Sequence, residues 1–275
     1  MATIAENLQT IQNIKQDIKT AIENKGVDMT NTPFTEYSTK IDEITNGGEI
    51  DINEYGIKLG YSSFKKIPDG IDFSNVTDMS YMFSDCYYLQ SVSSINTSKA
   101  TNMNSMFYNC ERLDSLALID TSKVVDMGGM LGNTMLKTIP QFDTSNVENV
   151  CSIFKQCIAL RTIPLLDFGS VTNMSSIFGI FELELLTSIG GFKNLKKSVT
   201  REFIDLLPNI STSSLINIIN NLYDWSGNTD GYAPLNNGTI YNFGTTHSLK
   251  FGNNISKLSD AQIAIATAKG WTLTA

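Results

Sequence analysis

Few side chains in this 275-residue sequence are of kinds that do chemistry, and their spacing limits what they can do. The single histidine, His247, stands between Thr246 and Ser248, and no carboxylate or nucleophile lies at a spacing that would build a triad or a metal site on it. GxSxG, HExxH, P-loop and GxGxxG patterns are absent, and the pairs Gly128-Gly129 and Gly190-Gly191 bind nothing by themselves. The acids are more suggestive, because Asp72, Asn96, Asp120, Asp143 and Asp167 recur at steps of 24, 24, 23 and 24. Stacked in space, such a column could take up calcium, which binds through oxygen ligands and would relieve the repulsion. It could equally close turns, since Asp and Asn satisfy their own backbone two residues on. EF-hand and RTX glycine spacing is missing, so turn formation is the expectation, with no metal and no cofactor.

Two further columns follow the same period. Lys66, Ser91, Ser115, Thr138, Thr162 and Ser188 fall at the outward positions of short strands, followed on the same face by Ser93, Ala117, Pro140 and Pro164. The result is a hydroxyl-lined strip with little charge, able to hydrogen-bond a glycan, though such residues also fill an ordinary β surface. Cys86, Cys110 and Cys157 share one slot in MFSDC, MFYNC and IFKQC, and Cys151 falls outside it. With no CxxC, they read as reduced thiols, the shared slot being a small core position, and no disulfide framework is expected.

These columns exist only if the elements carrying them repeat. From Ile71 to Phe192 one phrase is written five times, and Met79, Met103, Met127, Val150 and Met174 hold one slot at steps of 24, 24, 23 and 24. A fixed period of this length marks a solenoid, in which each repeat buries its apolar face against its neighbours. Leu89, Leu113, Leu136 and Leu160, each followed three residues later by Val92, Leu116, Ile139 or Ile163, give the inward side of a strand. Met79, Met82 and Phe83 make an i, i+3, i+4 face, predicting a helical turn with Asp78 and its equivalents Asn102, Asp126, Asn149 and Asn173 as N-caps. The expected architecture is α/β: a leucine-rich-repeat solenoid of coils about 24 residues long, with an N-terminal helical hairpin.

The flanks are different. Residues 1–46 carry a stripe of Ile4, Leu8, Ile11, Ile14, Ile18 and Ile22 that Gly26 ends, then a shorter helix opened by Thr32-Pro33 with Phe34, Tyr37, Ile41 and Ile44 on one face. This hairpin can cap the solenoid or form a separate oligomerisation or docking segment; a helix-length row of Ile suits a bundle between copies. Residues 47–70 form a lead-in and first strand, and 71–192 the repeats. In 193–275 longer coils and a cap are expected: a helix over 211–224 capped by Ser211 or Ser213, a loop over 227–244, a strand over 247–251, a helix from Ser259 or Asp260 stopped by Gly270, and a last strand over 271–275.

A net charge of −8 excludes the clustered basic surface that nucleic acid demands. No apolar run approaches the roughly 18 residues a membrane span needs, so no insertion is expected. MATIAENLQT is not a secretory signal, so an outward-facing role implies another route out of the cell, such as a released particle.

The phrase DTSNVxNMSxMFxxCxxLxSIP, written here as IDFSNVTDM and FDTSNVENV, resembles the BspA-like leucine-rich repeats of bacterial and phage surface proteins. The resemblance covers residues 60–192 and implies a recognition surface or adhesin, not an enzyme. ENLQTIQNIKQDIKTAIENKGVDMTNTPFTEYSTKIDEI is similar to the opening segments of fibre-like virion proteins in phages of gut bacteria. Together they imply a virion structural protein, a head or tail fibre or decoration, that presents the repeats for host or glycan attachment. Its partners would be copies of itself (a trimer favoured), other virion proteins and a host surface glycan or protein. The alternative is a bacterial cell-surface or secreted adhesin.

Overall fold

The computed structural model describes residues 65–67, 72–179, 183–196, 207–228, 231–244 and 247–275, with 16, 18–20 and 22–23 near the N-terminus. The chain forms two compact units, Met1–Gly56 with Asp69–Asp72, and Ile57–Pro68 with Phe73–Ala275. In the first, the described residues between 16 and 23 are α-helical, Ile22 is buried and Ile18 half-buried, and Lys19 pairs with Glu23 at 3.7 Å one turn on. Ile4, Leu8, Ile11, Ile14 and the expected second helix lie outside the described residues.

In the second unit, equivalent residues of successive repeats lie side by side in parallel register. Strands β1 (Ser91–Val92) and β2 (Ser115–Leu116) pair, and Lys66 bridges to Ser91. Thr138 bridges to β3 (Thr162–Ile163), which pairs with β5 (Ser188–Ile189). Next to these, β4 (Leu166–Asp167) pairs with β6 (Phe192–Lys193). Met79, Met103, Met127, Val150 and Met174 are buried, as are Leu89, Leu113, Leu136, Leu160 and Leu186. Phe83 stacks on Phe107 with ring centres 5.5 Å apart, and Phe154 on Phe178 at 5.9 Å; Leu131 holds the slot between these pairs. Apolar side chains thus fill a continuous interior that no repeat could bury alone.

The methionine stretch is not a helix. The N–H groups of Met79, Tyr81, Phe83 and Asp85 donate to carbonyls of the next repeat, at Asn102, Asn104, Met106 and Tyr108. Only the alternate residues Met82, Ser84 and Cys86 close turns on their own segment. Tyr81 and Asp85 are left-handed, with φ of 58° and 62°, and so are Ser105 and Asn109, Gly129 and Asn133, and Ser152 and Gln156. A left-handed residue every fourth position cannot sit in a right-handed helix. Met79, Met82 and Phe83 are still buried together, so the burial pattern expected of a helix is met by a ribbon of turns.

The third repeat is one residue short. Two residues, Glu111 and Arg112, separate Cys110 from Leu113, whereas Met135 alone separates Thr134 from Leu136. Thr134 fills the cysteine slot, fully buried with its hydroxyl 3.8 Å from Cys157 Sγ. The strand ladder is interrupted at this point: no bridge joins Ser115 to Thr138.

Beyond β6, helix α1 (Thr212–Asn220) starts at Ser211, whose hydroxyl accepts from Ser214 N–H, and buries Leu215, Ile218 and Ile219. Residues 227–244 are not the expected loop: β7 (Tyr232–Pro234) and β8 (Ile240–Asn242) form an antiparallel hairpin. The Gly and Asn residues that suggested a loop serve the turns, with Gly238 at φ 86° in its tip. Strand β9 (His247–Lys250) pairs in parallel with β10 (Trp271–Thr274), and helix α2 (Asp260–Ala268) connects them. Helix α2 opens with a capping box between Ser259 and Gln262.

Candidate recognition surface and an adjoining cleft

The strip anticipated from sequence is on the surface. Lys66, Ser93, Ser115, Thr138, Thr162 and Ser188 are exposed and Ser91 is half-buried. Thr162 Oγ1 donates to Thr138 Oγ1 at 2.8 Å, so neighbouring repeats link through the strip itself. Each strand is only two residues long or a single bridge, so alternation does not turn the preceding residue inward. Lys65, Gln90, Asp114, Lys137, Arg161 and Thr187 are also exposed, which makes the face two residues wide and more charged than expected.

The Asp column closes turns. Oδ1 of Asn96, Asp120 and Asp143 accepts from the N–H and hydroxyl of Ser98, Ser122 and Ser145 respectively, at 2.6–3.1 Å. The Ser122 hydroxyl, seconded by its N–H, lowers the pKa of Asp120. The buried threonine after each acid reaches the next repeat: Thr97 Oγ1 donates to the Asp120 carbonyl, Thr121 to Asp143 and Thr144 to Asp167. Among the described residues, no group of three His, Cys, Asp or Glu side chains gathers closely enough to hold a metal ion.

Sequence reading did not find two amide ladders. Asp78, Asn102, Asp126, Asn149 and Asn173 bridge one another in order, and Asp126 Oδ1 accepts from Asn104 and Asn149 as well as from Gly128 N–H. A Cβ on Gly128 would lie 2.8 Å from both amide nitrogens, so a larger residue there would push these two side chains aside. Asn109 donates to Asp85 and Asn133 to Asn109, all three at left-handed positions. The polar residue before each cysteine slot was the available signal, because Asn and Asp tolerate that conformation.

A cleft of about 420 Å³ opens where three repeats meet, lined by residues 141–145 with Leu165, Asp167 and Lys193. Sequence reading singles out Asp143 and Asp167 as turn formers or members of a calcium column, and Gln141 and Lys193 not at all. Asp167 is half-buried and accepts from Gly169 N–H at 2.9 Å, Asn236 Nδ2 at 3.2 Å and Lys193 Nζ at 3.3 Å. Burial acts to raise its pKa, but these partners outweigh it and hold the carboxyl below its ordinary range. Behind it, Lys196 is buried and donates to the carbonyls of Gly169 and Pro234 at 2.7 and 2.6 Å. Burial lowers the Lys196 pKa by more than Asp167 restores.

The hairpin docks beside the lining residues without contributing to the lining. From its tip, Asn236 donates through Nδ2 to the Ser145 carbonyl at 2.9 Å and through its N–H to Ser170 Oγ at 3.0 Å. A Cβ on Gly169 would stand 2.2 Å from Asn236 Oδ1, so glycine there is what admits the tip.

His247 is buried and stacks on Trp225 with ring centres 3.8 Å apart. Its Nδ1 is buried without a hydrogen-bond partner, and burial lowers its pKa. It belongs to the packing of the last strands, against Trp225 and Trp271. Cys86, Cys110 and Cys157 are buried free thiols, and burial pushes Cys157 up to about 11.

Residues 59–138 and 114–185 match the family model described as Mycoplasma protein of unknown function, DUF285, a family of BspA-like repeats. No curated protein and no solved structure matches the chain.

Proposed function

We propose that the protein is a non-enzymatic recognition module: a leucine-rich-repeat solenoid whose two-residue-wide strand face binds a partner, carried as a fibre or decoration on a phage particle. The observation that carries the recognition reading is the division of labour along each repeat. The Met, Phe, Leu and Cys slots fill the interior and the Asp, Asn and buried Thr slots close turns and join repeats, while the strand face of the described repeats stays exposed. The particle reading rests on the N-terminal isoleucine stripe, which suits a trimeric bundle or a dock on other virion proteins, and on the likeness of that segment to fibre proteins.

Light-scattering mass of the full chain tests the anchor: a trimer is expected, falling to monomer in Ile11→Glu/Ile18→Glu. A monomer at high concentration for the unaltered chain overturns it. Binding of labelled full chain to intact bacterial cells tests the face: Thr138→Glu/Thr162→Glu is expected to weaken binding at least tenfold with an unchanged melting temperature.

A bacterial cell-surface or secreted adhesin is the second reading, favoured by one finding: the matching family is described from Mycoplasma, itself a cell. A chain that is monomeric yet binds cells through the same face would select it.

A further inference from the structure

We propose that the cleft between Gln141 and Lys193 is a subsite for a single neutral sugar residue, an inference that rests on the recognition reading above and locates its ligand. Its volume of about 420 Å³ falls within the roughly 300–1,000 Å³ of small-ligand clefts. What decides the ligand class is the set of valences left over after the fold is satisfied. Asp143 commits Oδ1 to Ser145 and leaves Oδ2 without a partner among the described residues. Gln141 commits its amide N–H groups to the carbonyls of Leu165 and Phe142, which leaves Oε1 as an acceptor. Lys193 makes one ion pair, with Asp167, and keeps further N–H donors. Leu165 lines the same space and is 39 % exposed, an apolar patch beside the polar atoms.

Two acceptors, one cationic donor and an aliphatic surface are complementary to a pyranose. Vicinal hydroxyls donate to the carboxylate and amide oxygens, a ring or hydroxyl oxygen accepts from the ammonium, and the C–H face lies on the leucine. Charge narrows the class. Lys193 is paired with Asp167 and Lys196 lies behind it, so the carboxylate that keeps an uncommitted oxygen is Asp143, which repels the carboxylate of uronic and sialic acids and selects neutral hexoses or N-acetylhexosamines. The acceptors also come prepared: the Ser145 turn fixes Asp143, and the carbonyls of Leu165 and Phe142 fix Gln141, so little side-chain freedom is lost on binding.

The test is saturation-transfer NMR on the full chain with neutral sugars (glucose, galactose, mannose, N-acetylglucosamine, N-acetylgalactosamine) and with glucuronate and N-acetylneuraminate. At least one neutral sugar is expected to bind with millimolar affinity and the anionic ones to give no signal. Asp143→Asn, which keeps an acceptor for Ser145, and Lys193→Met should each weaken binding about tenfold, roughly 1.4 kcal/mol. Thr138→Ala/Thr162→Ala should leave it unchanged. No binding by any neutral sugar at tens of millimolar, or binding that only the threonine variant abolishes, overturns the proposal. If cells are still bound in either case, the sugar subsite fails while the recognition reading stands; if cells are not bound, both fail.

Discussion

At the scale of single residues, most polar side chains here are spent on the fold. Asp120 and Asp143 fix turns, Thr121 and Thr144 stitch one repeat to the next, and Asn109 and Asn133 hold left-handed backbone while linking across repeats. His247 is the exception, because its burial against Trp225 and Trp271 leaves Nδ1 unsatisfied. Its folded pKa lies below the ordinary 6.5. As pH falls through that value the unfolded chain takes up a proton that the folded chain refuses, so stability is lost on acidification. The loss flattens only below the folded pKa. The slope is expected to reach at most about 1.4 kcal/mol per pH unit. Urea midpoints from about pH 7.5 to about pH 5 should therefore fall more steeply for the unaltered chain than for His247→Phe, which keeps the stack and cannot titrate.

At the scale of elements, a ribbon of turns stands where the apolar spacing predicts a helical turn. Its handedness changes are carried by named positions, and substitution there separates conformation from contact. Asn109, at φ 60°, donates to Asp85 and accepts from Asn133. Asn109→Ala loses both bonds and a residue at ease in this conformation, at a cost of about 3 kcal/mol. Asn109→Gly loses only the bonds and is expected to cost about 2 kcal/mol. Equal losses in a denaturant titration would mean that conformation contributes nothing. The apolar spacing of Met79, Met82 and Phe83 fitted a helix because periodicity reports which side chains are buried together. It does not report where the backbone hydrogen bonds go, and here they go to the next repeat.

At the scale of the whole described unit, the C-terminal hairpin reaches back to the repeats. Asn236 contacts Ser145, Asp167 and Ser170, and Lys196 ties Gly169 to Pro234 beneath it. Lys196→Met would leave two carbonyls without their charged donor, costing about 2 kcal/mol. Because those carbonyls belong to different segments, hydrogen exchange should speed up selectively at the hairpin amides of Leu235 and Gly238 while Met103 and Phe107 stay protected. Uniform acceleration would show that the lysine stabilises the unit globally and does not fasten the hairpin.

The period of 23 or 24 residues was legible in the sequence alone, and with it the side-by-side alignment of equivalent residues, the buried Met, Phe and Leu slots, and the exposed strip from Lys66 to Ser188. The caps of both C-terminal helices were legible as well, because a Ser at the start of an apolar stripe satisfies a local backbone need. All of these are short-range or periodic properties. The tertiary structure alone decided that the hairpin docks beside the cleft. Ser145 and Asn236 stand 91 residues apart, outside any repeat, and nothing local to either says that they meet. It also decided which lone pairs remain, since among the described residues Asp143, like Asp120, commits only Oδ1 to its turn. A column of equivalent residues can be read from spacing; what stands beside each member of it depends on contacts between distant segments.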